Sequence, residues 1–214
     1  MPSVRDICAA APVIPVLLIE RIADAAPLAK ALVAGGLPVL EVTLRTDCAL
    51  EAIREMRAAA PDAIVGAGTL RRPADLPACR EAGAQFGVSP GAPAPLIEAV
   101  RAADFPFLPG CATPTEAMAL ADQGFELMKF FPAGAAGGPA MLKSLVSPLP
   151  DIRFCPTGGV SLENAPDYLK LPNVAVVGGS WVAPPSLIDA GDWPAIESLA
   201  REAVAHLAPL QDRR

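Results

Sequence analysis

Histidine is almost missing from this sequence, with His206 alone among 214 residues. Serine–histidine triads and histidine-rich zinc sites both need more, so neither is a good basis for chemistry here. His206 falls in the C-terminal helical pattern WPAIESLAREAVAHLAPL without nearby partners and is expected to pack or lie on the surface. Charged residues make up 19% against 52% hydrophobic, a balance that excludes disorder and can fill a substantial core. The net charge of -6 leaves no broad basic surface for nucleic acid or an anionic membrane. No apolar run approaches the roughly 20 residues needed to span a bilayer. The five cysteines are odd in number, widely spaced and never form a C-x-x-C pair. A reduced, cytoplasmic protein without a disulfide framework is therefore expected. Arg5 and the apolar stretch from Ala9 to Ile19 superficially resemble a secretory signal, but Asp6, Pro12 and Pro15 interrupt it. Glu20 and Arg21 then stand where a small-residue cleavage site belongs.

What is abundant is alternation. Short β-type runs recur along the chain: VIPVLL at 13, VLEVT at 39, AIVGA at 63, QFGVS at 85, PFLPG at 106, ELMKFF at 126, RFCPT at 153 and VAVVG at 174. An alanine-rich helical pattern follows each, which is the signature of repeated βα units. Many of the 25 prolines stand near helix starts, where proline is tolerated best. Eight such units in residues 1–214, without a linker or composition break, predict one α/β domain, a (β/α)8 TIM barrel. An open doubly wound sheet would place a glycine-rich fingerprint after its first strand, and IERIAD contains no glycine.

Lysine is scarce too, with only Lys30, Lys129, Lys143 and Lys170. Yet one is spent inside the apolar run FELMKFFPA at 125–133. In a strand, Leu127, Lys129 and Phe131 share one face while Met128 and Phe130 share the other. Two readings are open: a lysine near a strand end whose head reaches water, or an amine kept near-neutral by burial to attack a carbonyl.

Barrel sites form where strands run into their following loops. The second strand ends with Glu41, Thr43 and Arg45 on one parity and Leu40, Val42 and Leu44 on the other. If the apolar set faces the helices, the polar set faces the barrel mouth; alternatively Glu41 and Arg45 simply pair with each other. The third strand ends Gly66-Ala67-Gly68-Thr69, where glycine lets something approach the backbone; GAGT is also an ordinary turn. Thr157-Gly158-Gly159 and Gly178-Gly179-Ser180 end strands seven and eight. In barrels this pair of loops is the common phosphate cradle near a helix N-terminus, and otherwise two tight turns. Cys111 and Cys155 lie near strand ends, where inert buried thiols are the common outcome. A lysine for a Schiff base, a carboxylate for protons, an arginine for a carboxylate and glycine loops for a phosphate jointly describe a phosphorylated keto acid.

The phrases PVIPVL, EVTLRT, VGAGTL, GAQFGVSPG, MKFFPA, RFCPTGGVS and VVGGSW, in this order over almost the whole chain, resemble 2-keto-3-deoxy-6-phosphogluconate (KDPG) aldolase, a class I aldolase family of the Entner–Doudoroff pathway. The resemblance implies that Lys129 forms the Schiff base and that Glu41 is the general acid/base. It implies that Arg45 and Thr69 hold the substrate carboxylate, that Pro90 and Phe131 line the pocket, and that Thr157 contacts the sugar-derived hydroxyls. Gly158, Gly159, Gly179 and Ser180 are then the phosphate binders. Relatives acting on the galactonate-derived epimer lack the arginine of EVTLRT and carry one at the end of the first strand; Arg45 and PVLLIE here favour the gluconate type. Gly134 departs from the acidic residue that relatives often carry after FPA. The resemblance further implies cleavage of 4-hydroxy-2-oxoglutarate and assembly into homotrimers.

No cofactor or metal is expected, because an iminium supplies the charge stabilisation a metal would give. The rivals are a phosphosugar isomerase or epimerase, which has no need of Lys129, and a non-catalytic phosphate-sugar binding barrel. A metal-dependent aldolase with Glu41 as ligand is disfavoured by the missing histidines and the strand-borne lysine.

Overall fold

Alternation in Val39–Thr43 (β2) sorts side chains between two cores. Leu40 and Val42 pack outward in the layer shared with the helices, while Val39 points into the barrel. The other strands repeat this division in a computed structural model that describes residues 3–211, so the ends of the expected 1–214 unit lie outside the described residues. The strands are Val13–Leu17 (β1), β2, Ile64–Gly68 (β3), Gly87–Val88 (β4), Phe107–Leu108 (β5), Gly110–Cys111 (β6), Leu127–Phe130 (β7), Arg153–Pro156 (β8) and Val177–Gly179 (β9). They pair in parallel in the orders β5-β4-β3-β2-β1-β9 and β6-β7-β8.

β5 and β6 are one expected strand interrupted at Pro109, which has no N–H to give to a ladder. Ser89 bridges the interruption, its hydroxyl accepting from Gly110 N–H at 3.3 Å. The eighth strand is shorter than expected: Val174 makes an isolated bridge to Phe154 and only Val177–Gly179 is regular. With a second bridge between Thr157 and Gly178, it closes the ring of a (β/α)8 barrel.

The helices are Val4–Ala9 (α1), Ile22–Ala34 (α2), Ala49–Ala59 (α3), Asp75–Glu81 (α4), Ala94–Ala102 (α5), Pro114–Ala121 (α6), Gly138–Leu145 (α7), Ala165–Leu169 (α8), Pro185–Ala190 (α9) and Trp193–Gln211 (α10). Thr113 and Glu116 form a reciprocal capping box at the start of α6, satisfying backbone donors the helix cannot use. His206 is exposed on α10, whose apolar face buries Ile196, Ala200, Ala203 and Leu207. Outside the strands, Leu28, Leu32, Ile53 and Ile97 are fully buried, each contributing about 1.5–3 kcal/mol relative to exposure.

Inside the barrel, Ile14, Val39, Phe86, Val88, Leu108, Cys155 and Val176 form a smaller core. The short helix α1, which the sequence pattern did not reveal, adds Ile7 and Cys8 to it. Apolar packing therefore plugs one end of the barrel and leaves the polar strand ends to the other.

Candidate active site

β7 enters the barrel with Met128 and Phe130 in the outer layer and Lys129 on the opposite face, as alternation requires. Lys129 lies level with Gly110 of β6 and Cys155 of β8. Across the interior, Glu41 of β2 lies level with Val16 and Gly66. The two side chains meet: Lys129 Nζ donates to Glu41 Oε1 at 3.2 Å, with only 7% and 4% of the side chains exposed. The lysine thus has a carboxylate for a neighbour as well as hydrophobes. Its Nζ also lies 5.3 Å from the Phe131 ring centroid, within cation–π range.

The missing side chain of Gly68 makes this pair possible. A Cβ there would run into Oε1 of Glu41 and stand 2.7 Å from its Cγ. What the GAGT glycine admits to the backbone is therefore the Glu41 carboxylate.

Arg45 does not pair with Glu41. Its Nε–H donates to Thr43 Oγ1 at 3.1 Å, while the Thr43 hydroxyl donates to Leu17 C=O in β1 at 2.8 Å. Thr69 follows β3 with φ of 66°, the left-handed region that a threonine seldom adopts. Its neighbour Gly68 accepts from Leu44 N–H at 2.9 Å, tying the β3 and β2 ends together. The Pro90 backbone abuts Gly110, the residue level with Lys129, leaving no room there for a Cβ.

The glycine loops join the same cluster. Gly158 and Gly159 have φ of 92° and 77°, a conformation that favours glycine. Thr157 and Gly158 carbonyls accept from Ala133 and Gly134 N–H at 2.8 and 2.9 Å, locking the FPA loop to the TGG loop. Gly134 therefore contributes its backbone N–H to this lock. The Asn164 side chain donates to Gly159 C=O and accepts from Ser161 N–H, both at 2.9 Å. Thr157, buried, also bridges to Gly178, so the TGG and GGS loops are adjacent, with Ser180 exposed at the rim. The helices after these loops begin at Ala165 and Pro185 and have five and six residues.

Burial pushes the thiol of Cys155 up to about 12 despite the opposing pull of Lys129, and that of Cys111 likewise to about 12. Both are weak nucleophiles at neutral pH. Among the described residues no group of three or more His, Cys, Asp or Glu side chains is arranged to hold a metal ion. A cavity of about 670 Å³ lined by Arg5, Cys8, Glu126, Asp151, Arg153 and Gln211 includes none of the Lys129 cluster. The convergence of reactive groups at Lys129 and Glu41 identifies the site.

Glu41 stands in the middle of β2 and Lys129 one residue from the end of β7, while the other nine candidate residues stand at strand ends or in the loops that follow them; contacts join Lys129 to Glu41 and Phe131, and Phe131 to Gly158. Sequence reasoning expected glycine in GAGT to admit something to the backbone without naming Glu41, and it missed the hydrogen bond from Arg45 to Thr43, although the parity of Thr43 with Glu41 and Arg45 was a signal for it.

The family model for KDPG and KHG aldolase matches residues 4–199. The 2-dehydro-3-deoxy-phosphogluconate aldolase of Dickeya dadantii is 51% identical over 203 residues, covering 95% of each chain. The KDPG aldolase of Legionella pneumophila, solved with pyruvate captured at low pH as a covalent carbinolamine intermediate, superposes with a TM-score of 0.93 at 43% identity. That match covers 95% of this chain and 98% of the other. The Zymomonas mobilis ZM4 enzyme, solved with 3-phosphoglycerate, gives a TM-score of 0.89 at 49% identity and 95% coverage of both chains.

Proposed function

The chain belongs to the KDPG and KHG aldolase family, and on that premise we infer that it cleaves 2-keto-3-deoxy-6-phosphogluconate to pyruvate and D-glyceraldehyde 3-phosphate through a lysine Schiff base. It is a carbon–carbon lyase of class I, with residues 1–214 acting as one catalytic unit. Cleavage of 4-hydroxy-2-oxoglutarate belongs to the same reading. The observation that carries it is the buried contact of 3.2 Å between Lys129 Nζ and Glu41 Oε1.

An ammonium must lose a proton before it can attack, and Glu41 is within reach to take it. The neutral amine of Lys129 then adds to C2 of the keto acid to give a carbinolamine. Glu41 returns its proton to the departing hydroxide, which leaves as water, and an iminium remains. The carboxylate next takes the C4 hydroxyl proton as the C3–C4 bond breaks and its electron pair flows into the iminium. D-glyceraldehyde 3-phosphate leaves, Glu41 protonates C3 of the enamine, and water releases pyruvate from Lys129.

Arg45 and Thr69 are assigned to the substrate carboxylate, Pro90 and Phe131 to the pocket wall, and Thr157 to the hydroxyls. Gly158, Gly159, Gly179 and Ser180 are assigned to the phosphate, supported by the adjacency of the two glycine loops. Homotrimeric assembly and a cytoplasmic location are carried over with the family. Sedimentation as a monomer would remove the first, and recovery from another compartment the second.

Incubation with pyruvate and borohydride, followed by peptide mapping, tests the mechanism. A reduced adduct on Lys129 is expected. Folded protein without an adduct, or one trapped on another lysine, overturns the assignment.

A further inference from the structure

We propose that Thr43 is a positioning residue for the carboxylate grip of Arg45, fixing the guanidinium so that its two terminal nitrogens face the substrate. The inference rests on the carboxylate-binding role proposed above for Arg45. Thr43 ends β2 two residues after Glu41 and is buried at 2% exposure, whereas Arg45 is exposed. An exposed arginine on a loop samples many rotamers, and holding one of them costs free energy at the moment of binding.

The hydroxyl of Thr43 removes much of that freedom. It has one proton, and that proton goes to Leu17 C=O at 2.8 Å. The oxygen is thereby oriented as an acceptor, and Arg45 Nε–H fills it at 3.1 Å. Arg45 N–H also donates to Thr43 C=O at 2.8 Å, folding the chain back so that the side chain reaches this hydroxyl. Among the described residues the Arg45 side chain makes no other hydrogen bond.

The consequence concerns which edge of the guanidinium is free. A carboxylate can be held in a two-point grip by the Nε and one Nη, or by the two Nη groups. With Nε committed to Thr43, only the second grip remains. The tether runs from β1 through Thr43 to Arg45, so the carboxylate is registered against β1 and against the strand that carries Glu41.

Thr43→Val keeps the β-branched shape and removes the hydroxyl, whereas Thr43→Ser keeps it. For cleavage of the keto acid, the valine variant is expected to raise KM on the order of tenfold with kcat within about twofold, because ground-state and transition-state binding weaken together. The serine variant should stay near wild type. In an Arg45→Met background, Thr43→Val should add almost nothing. An unchanged KM in Thr43→Val, equal impairment by serine and valine, or the same fold-loss with Arg45 already removed would each overturn the tether.

Exchange of the Arg45 Nε proton, followed by NMR and assigned through Arg45→Met, needs neither turnover nor a folded Thr43 variant. Protection relative to exposed Arg54 supports the tether, and equal exchange refutes it. Wild-type protein that shows this protection but does not cleave the keto acid would sink the functional reading and leave the tether standing.

Discussion

Replacing Gly68 with alanine separates stability from catalysis in this site. The added methyl would stand 2.7 Å from Cγ and 2.8 Å from Cδ of Glu41, and would overlap its Oε1. Comfortable carbon–carbon separations are roughly 3.5–4.0 Å, so the carboxyl group must retreat by about 1 Å. Gly68 lies in regular β3 and needs no left-handed backbone, so alanine brings no φ strain. The methyl overpacks the interior at about 1–3 kcal/mol, partly offset by about 0.4–1 kcal/mol from reduced freedom of the unfolded chain. The variant should fold with a lowered Tm. Its chemistry should suffer more, because a shift of about 1 Å at a reacting group costs about 100-fold, or about 2.7 kcal/mol of barrier. We expect kcat for keto-acid cleavage, followed by reduction of the released pyruvate with lactate dehydrogenase, to fall on the order of 100-fold, and borohydride trapping to slow with it. Gly91→Ala is the control, since its methyl would meet nothing within 4 Å. A Gly68→Ala enzyme within about threefold of wild type, or equal damage from Gly91→Ala, would refute the idea that clearance at Gly68 sets Glu41 against Lys129.

Two further outcomes follow from titration and chemistry. Burial raises the Cys79 thiol to about 12, so its contribution to stability is complete below the unfolded value near 9 and is lost as pH rises from there through about 12. The unfolding free energy from urea titrations should therefore fall over that window with a slope of at most about 1.4 kcal/mol per pH unit for this thiol, and that of Cys79→Ala should fall less steeply; parallel curves would contradict it. Exhaustive dialysis against EDTA should leave cleavage intact, because the iminium supplies the electron sink, whereas loss of activity restored by added metal would refute the metal-free mechanism.

The eight βα units were legible because strand and helix periodicities differ and proline and glycine punctuate both. Lys129 stood out because a charge inside an apolar run demands an explanation, and parity correctly placed it opposite Met128 and Phe130. The extent of the strands was less legible. β4 keeps only two regular residues and the VAVVG run only part of one strand, because ladder hydrogen bonds depend on the neighbouring strand and not on β propensity. α1 escaped notice because VRDICA is six residues long, and its place at the barrel end rests on the long-range contacts of Ile7 and Cys8.

By itself the sequence determined the barrel, the face on which each reactive group lies and the kinds of chemistry available. Those properties are local, since alternation within a strand follows from backbone geometry. Only the tertiary structure decided who meets whom. Glu41 had Arg45 four residues away on the same parity, yet it pairs with Lys129, 88 residues distant. Arg45 turns instead to Thr43, and the space for Glu41 comes from Gly68 on a third strand. Strand register and the stagger of a closing barrel set those meetings, and neither is written in any single segment of the chain.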